Sequence, residues 1–316
     1  MAIPTNERIQ GGLWGLLIGD ALGVPYEFHN ANAIPPIDKI DFEPPKDFSR
    51  SYPTVPPGTW SDDGAQALCL LHSLLTNNQL EPDHLIKQIL DWYQHGTWAV
   101  EQQVFDIGVQ TQKALLAYQK GTPALQAGSV NPNGKGNGSL MRVLPLALWH
   151  KGSDEELVED AHRQSMITHA HPTNQVCCAL YCLWARNLLA GEPGDQAYRL
   201  AVDRLRDIYN QQLPEYAMEL DVNIRPDHPP NRSGSGYVVD SFHAARIALQ
   251  QPTYELVVKH AIRLGEDTDT NAAIAGGLAG IRDGINAIPI KWLLKLRGKE
   301  MVQPLLDKLL VYRSKK

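Results

Sequence analysis

The stretch Asn271-Ala-Ala-Ile-Ala-Gly-Gly-Leu-Ala-Gly-Ile281 is small or apolar at nearly every position, whichever face of a helix is considered. A surface helix keeps one polar face, so this run reads as a helix buried on all sides that lets another backbone come close. Working outward, Ile9, Leu13, Leu16 and Leu17 repeat at helical spacing, and Leu68, Leu71 and Leu75 do so after Ser61. Similar patterns recur around 84–95, 107–118, 139–150, 154–166, 173–190, 196–213, 238–250, 253–264, 270–282 and 290–312. Period-2 alternation is almost absent, and the β-prone Tyr237-Val-Val239 triplet is too short to found a sheet. The predicted class is all-α.

Two segments resist helix. Seven prolines between Ala33 and Gly58 remove backbone donors and fix φ, which predicts a long irregular loop. Pro214 to Gly236 holds prolines at 226, 229 and 230 and then Ser-Gly-Ser-Gly, which predicts an excursion over the surface. Helical patterns continue on both sides of each and no fixed-period repeat is present, so one domain over 1–316 is expected. The net charge of −6 argues against phosphate neutralisation and hence against a nucleic-acid polymer as partner. The apolar run Leu13 to Leu22 is broken by Gly15, Gly19 and Asp20, so no bilayer span and no signal peptide are expected. Four cysteines, at 69, 177, 178 and 182, are too few for a disulfide framework, which fits a reducing, cytoplasmic setting.

The chemistry-bearing residues are Trp60-Ser-Asp-Asp-Gly64 and Gly265-Glu-Asp-Thr-Asp-Thr-Asn271, both where a loop turns into a helix. Asp and Ser there can cap free N–H groups and oppose the helix dipole, and capping alone is one reading of either cluster. The other reading is a shared site. A cap needs one side chain, whereas Ser61, Asp62 and Asp63 supply two carboxylates and a hydroxyl, and Asp267, Asp269 and Thr270 supply the same set again. If the two helix starts converge, four carboxylates cannot all ionise without cations. Two divalent ions would balance them, and an all-oxygen donor set selects hard ions such as Mg²⁺, Mn²⁺ or Ca²⁺ over zinc.

These two clusters resemble the paired metal motifs of the ADP-ribosylglycohydrolases. The similarity extends, in the family's order, to Gly19-Asp-Ala-Leu-Gly23 with Glu27, Phe105-Asp-Ile-Gly108, Gly136-Asn-Gly-Ser-Leu-Met-Arg-Val143, Thr168-His169, Gly234-Ser-Gly-Tyr-Val-Val-Asp240 and Ala272-Ala-Ile-Ala-Gly-Gly277. The resemblance implies an orthogonal multi-helix bundle with two Mg²⁺ or Mn²⁺ ions, held by Ser61, Asp62, Asp63, Asp267, Asp269 and Thr270. The family often has Thr at the positions of Ser61 and Gly64; Ser keeps the hydroxyl, while Gly64 leaves the local contacts there open.

Glu27 matches the family's flap glutamate on a loop able to close over substrate, against the alternative of a solvated loop residue. Asp20, within an apolar helix, reads first as a buried structural hydrogen-bonder. Asp106 either caps a helix starting near Ile107 or serves as an active-site carboxylate; with Glu27 and Asp62 it makes up the candidate catalytic set. The loop of Gly134, Lys135, Gly136, Asn137 and Gly138, before a helix expected over Ser139 to Trp149, offers backbone N–H groups suited to phosphate, although its register is not that of a Walker A loop. His169 and Tyr237 are placed by their motifs on the substrate and adenosine sides. His169, His171 and the nearby cysteines fit no common zinc spacing.

The implied reaction is metal-dependent hydrolysis of the bond between ADP-ribose and an acceptor, with arginine-linked ADP-ribose as the expected substrate and Glu27 or Asp106 as proton donor. The expected partner is an ADP-ribosylated protein or a small ADP-ribose conjugate, acted on by a monomer. Alternatives are serine-linked or O-acetyl-ADP-ribose, or a catalytically idle binder or structural protein.

Overall fold

The computed structural model describes residues 2–229 and 234–315. Fourteen α-helices occur among them: α1 Thr5–Gly23, α2 Asp62–Asn77, α3 Pro82–His95, α4 Val109–Gln119, α5 Ala124–Ala127, α6 Leu144–Trp149, α7 Asp154–Met166, α8 Pro172–Ala190, α9 Gly194–Gln212, α10 Val238–Ala248, α11 Tyr254–Ile262, α12 Thr268–Asp283, α13 Ile290–Lys295 and α14 Lys299–Ser314. Pairing of β type is confined, among the described residues, to three isolated bridges. The all-α expectation holds.

The centre is the antiparallel pair α1 and α12. Every residue of α12 from Thr268 to Ile281 is buried, as the composition of 271–281 requires. Glycines at 11, 15, 19 and 23 recur every fourth position and so form one line along α1. They meet Gly280, Gly276, Ala272 and Asp269 in turn: a Cβ on Gly15 would lie 2.5 Å from Gly276 O, one on Gly19 2.1 Å from Ala272 O, and one on Gly23 2.4 Å from Asp269 Cα. The two main chains therefore touch directly. This brings the C-terminal end of α1, with Asp20, against the N-terminal end of α12, with Asp269.

Several boundaries differ from expectation. Ser139 to Val143 forms turns, and the helix begins only at Leu144, because Pro145 is suited to a first helical turn and not to an interior. The pattern over 290–312 is two helices, interrupted before Gly298, which adopts a left-handed φ of 70°. The Pro214 to Gly236 segment is not a bare excursion: it makes helical turns at Pro214–Tyr216 and Glu219–Ile224 that bury Leu220 and Ile224. Pro230 and Ser233 of that segment lie outside the described residues. The Pro-rich segment has no α-helix, only a short turn at Ile37–Lys39. It is fastened down by buried Ile34, Ile40, Phe42 and Val55, by Tyr26 Oη donating to Asp41 O at 2.9 Å, and by Ser51 N–H donating to Pro25 O at 3.0 Å.

No helix of the described residues is long and apolar enough to cross a membrane. Cys69, Cys177, Cys178 and Cys182 are unpaired and buried in helices α2 and α8, where burial raises their thiol pKa values.

Candidate active site

Residues 61–63 and 267–270 converge. Ser61 caps α2, its Oγ accepting from Asp63 N–H at 3.5 Å, and it also donates to Asp63 Oδ2 at 2.9 Å. The hydroxyl of Thr270 reaches the same Oδ2 from α12 at 3.3 Å, bridging 207 positions of sequence. Capping accounts for Ser61 but not for the carboxylates around it. Asp267, at the N-cap of α12, makes no side-chain cap bond and instead accepts from Asn137 Nδ2 at 2.8 Å.

Asp20 sits beneath α2 and is the structural hydrogen-bonder expected: its two oxygens accept the N–H groups of Ser61 at 2.8 Å and Gly64 at 2.7 Å. Side-chain space at Gly64 is filled. A Cβ there would meet Leu17 Cδ2 at 2.8 Å and the Trp60 ring at 2.9 Å, so a threonine has no room in this chain.

Glu27 is not a solvated loop residue. It is buried, and its loop is pinned as Phe28 N–H donates to Glu266 O and Glu266 N–H donates to His29 O, each at 2.7 Å. Asp106 does not cap the next helix, which begins at Val109 after Gly108 with no side-chain cap. Its φ of 56° turns it away from a helical path, and its partner Tyr52 and Phe28, packed on Tyr52, share such left-handed values. Strain of this kind persists only where surrounding structure enforces it, and it concentrates at working sites.

Oxygens of Asp20, Asp63 and Asp269 lie within 4.8 Å of one another, as do oxygens of Glu27, Asp106 and Asp269. Asp269 belongs to both groups. Asp62 joins from the side: with Glu27, Asp106, Asp267 and Thr270 it lines a cavity of about 210 Å³, walled also by Gln110, Gly136, Asn137, Gly138 and His169. Crowding on this scale resists ionisation. Burial first and then mutual repulsion hold Asp62, Asp63 and Asp269 well above the usual carboxylate range. Glu27 is pushed up to about 10 by burial, Asp106 and Asp267. Burial also raises Asp106, against hydrogen bonds from Tyr52, Asp269 and Glu27 that favour its charged form.

Glu27 Oε2, Asp63 Oδ1 and Asp269 Oδ2 are buried oxygens with no hydrogen-bond partner. Native proteins rarely leave such atoms bare, and a hard divalent cation is the natural complement to bare carboxylate oxygens. The donor set therefore fits Mg²⁺ or Mn²⁺.

The glycine loop is more occupied than its sequence suggests. Gly136 N–H donates to Gln110 Oε1 at 2.8 Å and Gly134 N–H to Asn131 O at 2.8 Å, so these two groups serve the loop's own shape. Gln110 Nε2 also donates to Gly134 O at 2.5 Å. Lys135 and Tyr237 lie outside the acidic cavity, in an adjoining depression with Asn133, Gly136 and Gly236. His169 lines the acidic cavity, close against Gly138: a Cβ on that glycine would lie 2.8 Å from His169 Cε1.

Sequence reasoning missed Tyr52 and Gln110. Tyr52 hydrogen-bonds Asp106 and packs between Phe28 and Phe105, tilted against each, at centroid distances of 6.0 and 5.0 Å. It lies in a proline-rich loop with no periodicity to flag it.

The chain matches the family profile described as ADP-ribosylglycohydrolase across residues 1–316. It belongs to the ADP-ribosylglycohydrolase family. Members are hydrolases acting on glycosyl bonds, and this chain is an enzyme of that kind. It is 30% identical over 312 residues to an ADP-ribosylarginine hydrolase, Tri1, of Serratia proteamaculans, covering 97% of this chain and 81% of the relative. It is 27% identical over 297 residues to the ADP-ribosyl-[dinitrogen reductase] glycohydrolase of Rhodospirillum rubrum, covering 93% and 92%. The ADP-ribosylhydrolase ARH3 of Homo sapiens matches at 22% over 342 residues, covering 95% and 92%. A solved structure titled ADP-ribosylglycohydrolase-related protein complex superposes with a TM-score of 0.76 at 28% identity, covering 99% of both chains.

Proposed function

We propose that this ADP-ribosylglycohydrolase depends on divalent cations and cleaves the bond between the anomeric carbon of ADP-ribose and an arginine side chain of a protein. The observation that carries the reading is the set of three bare buried oxygens, on Glu27, Asp63 and Asp269, beside a cavity walled by the glycine loop. The arginine linkage rests on the activity named for the Serratia relative.

Ser61, Asp62, Asp63, Asp267, Asp269 and Thr270 would hold two Mg²⁺ or Mn²⁺ ions. Once bound, such ions supply Lewis-acid orientation of the ribose hydroxyls and of the attacking water. Gly136, Asn137, Gly138 and His169 receive the diphosphate and distal ribose, and Tyr237 and Lys135 extend this surface toward the adenosine. Gly134 shapes the loop through Asn131 and Gln110.

Glu27 keeps a proton, because burial, Asp106 and Asp267 oppose its ionisation. It is placed to protonate the departing guanidine, which is a strong base once the glycosidic bond opens. Asp106 is the complementary partner. Its charged form accepts hydrogen bonds from Tyr52 and Glu27, so it can face the positive charge that builds at the anomeric carbon. Asp62, on the cavity wall, contributes a third carboxylate to that charge.

The decisive experiment is a panel of arginine-, serine- and acetyl-linked ADP-ribose substrates, each with Mg²⁺, Mn²⁺ or EDTA. Release of ADP-ribose from the arginine conjugate, abolished by EDTA and restored by either ion, is the expected result. Preferential turnover of the serine or acetyl linkage would replace arginine as the acceptor. ADP-ribose binding without turnover of any substrate would make the chain an idle binder.

A further inference from the structure

Arg142 is fully buried, yet no carboxylate among the described residues forms an ion pair or hydrogen bond with it. Its guanidinium donates to Gln164 Oε1 at 3.2 Å and Gln164 O at 2.9 Å, to Gly138 O at 3.3 Å, to Gln66 Oε1 at 3.0 Å and to Thr168 Oγ1 at 2.8 Å. Burying a guanidinium without a counter-charge is costly, so a side chain kept in this state calls for a use. Two of its arms lead to residues that line the cavity, Asp62 and His169.

The direction of each arm follows from what each group can donate. Guanidinium has donors only, so the hydroxyl oxygen of Thr168 accepts from Arg142. Among the described residues the one acceptor within hydrogen-bond distance of the Thr168 proton is then His169 Nδ1, at 2.8 Å, and donating to it leaves no buried hydroxyl proton unpaired. Nδ1 is thus an acceptor, and a neutral ring must carry its proton on Nε2. Burial first, and then the charge of Arg142, hold His169 down at about 3, so the ring is neutral near pH 7. Nε2 lies along the glycine loop: a Cβ on Gly138 would be 3.2 Å from it and one on Gly136 3.7 Å. On the other arm, Arg142 fixes the amide of Gln66 with its oxygen inward. Gln66 Nε2 then donates to Asp62 Oδ2 at 3.0 Å.

We propose that Arg142 is a positioning residue that acts through Thr168 to hold His169 as an Nε2–H donor toward an oxygen of bound ADP-ribose, and through Gln66 to orient Asp62. The identity of the ligand rests on the function proposed above; the proton's location on His169 does not. The relay commits the imidazole to donation, which suits an anionic or hydroxyl oxygen and rejects a ligand that must itself donate at that point.

The test uses full-length protein labelled with ¹⁵N-histidine, without metal, near pH 7.5. Ring ¹⁵N shifts distinguish the tautomers. Wild type should show His169 protonated on Nε2, and Thr168→Val and Arg142→Met should both give a mixture of tautomers, with Arg142→Lys closer to wild type. Thr168→Val removes one buried hydroxyl and nearly preserves volume, so it keeps the test open should Arg142→Met not fold. Calorimetry with ADP-ribose should show roughly tenfold weaker binding in Thr168→Val, the scale of one misdirected hydrogen bond. A wild-type His169 protonated on Nδ1, a tautomer indifferent to Thr168→Val, or unweakened binding by Thr168→Val would overturn the proposal. Failure of wild type to bind ADP-ribose at all would instead sink the ligand assignment, and the tautomer result would still decide the relay.

Discussion

Asp20 Oδ2 accepts the N–H of Gly64 across 2.7 Å, which makes a carboxylate inside α1 the anchor for the first turn of α2. Its second oxygen does the same for Ser61. Asp20→Ala would strand both N–H groups in the core at about 1–3 kcal/mol each, more than is recovered by removing a buried carboxyl held at about 7. Urea unfolding should show a net loss of a few kcal/mol; an unchanged midpoint would refute the anchoring role.

Gly276→Ala sets two effects against each other. Alanine favours an interior helical position over glycine by about 1 kcal/mol, but its Cβ would sit 2.5 Å from Gly15 O, and backbone cannot step aside. Overpacking should win, lowering stability by about 1–3 kcal/mol and weakening Mn²⁺ binding as the ends of α1 and α12 part. Gly194→Ala is the control, since its Cβ would meet only Arg282 Cδ at 3.8 Å. It should be neutral or slightly stabilising by thermal melting.

Between pH 7 and 8 the pH dependence of the metal-free protein reports chiefly on the carboxylate cluster. Buried His162 and His169, held at about 3, are neutral in the folded chain and largely so in the unfolded chain above pH 7, and below pH 8 the thiols are mostly protonated in both states. Glu27 ionises near 4.5 when unfolded but at about 10 when folded, so in this window the folded state binds more protons. Stability must therefore fall as pH rises. Melting in EDTA should show this decline, Glu27→Gln should flatten it, and Mg²⁺ or Mn²⁺ should raise the melting temperature most at the alkaline end. A flat profile in wild type would contradict the burial of ionisable carboxyls.

Asp269 contributes to both groups of converging oxygens, whereas Asp62 stands on the cavity wall. Asp269→Asn should weaken Mn²⁺ binding by a hundredfold or more, since even outer-shell changes cost about 10–100-fold, and should abolish turnover with the helical circular dichroism unchanged. Asp62→Asn should also abolish turnover. Equilibrium dialysis with Mn²⁺ checks the ligand assignment, and wild-type uptake in the Asp269 variant would end it.

Tyr52→Phe removes a hydroxyl that supports the charged form of Asp106 while keeping the ring between Phe28 and Phe105. A fall of about tenfold in kcat with little change in KM is expected, as for an interaction made mainly in the transition state. An effect confined to KM would point to substrate contact instead.

Periodicity placed most helices to within a few residues, because each helix buries an apolar face that the sequence displays directly. Ser139 to Val143 defeated it: those apolar residues are buried in turns, and burial of a turn leaves the same signature as burial of a helix. The convergence of Asp63 with Thr270 was readable only as a possibility from charge crowding, and the matching motifs then made it specific. Tyr52 and Gln110 were not readable. Neither lies in an acidic cluster, and their importance comes from contacts across long separations, Tyr52 with Asp106 and Gln110 with Gly134 and Gly136.

The direct contact of main chains along Gly11, Gly15, Gly19 and Gly23 has a consequence for how such an enzyme diversifies. A junction without side chains offers no rotamer to adjust and no volume to trade, so the spacing of the carboxylates at its end is inherited from covalent geometry and tolerates almost no drift. Changes of specificity are then left to the segments around the site, such as the proline-rich stretch, where residues can be exchanged without moving the two helices apart.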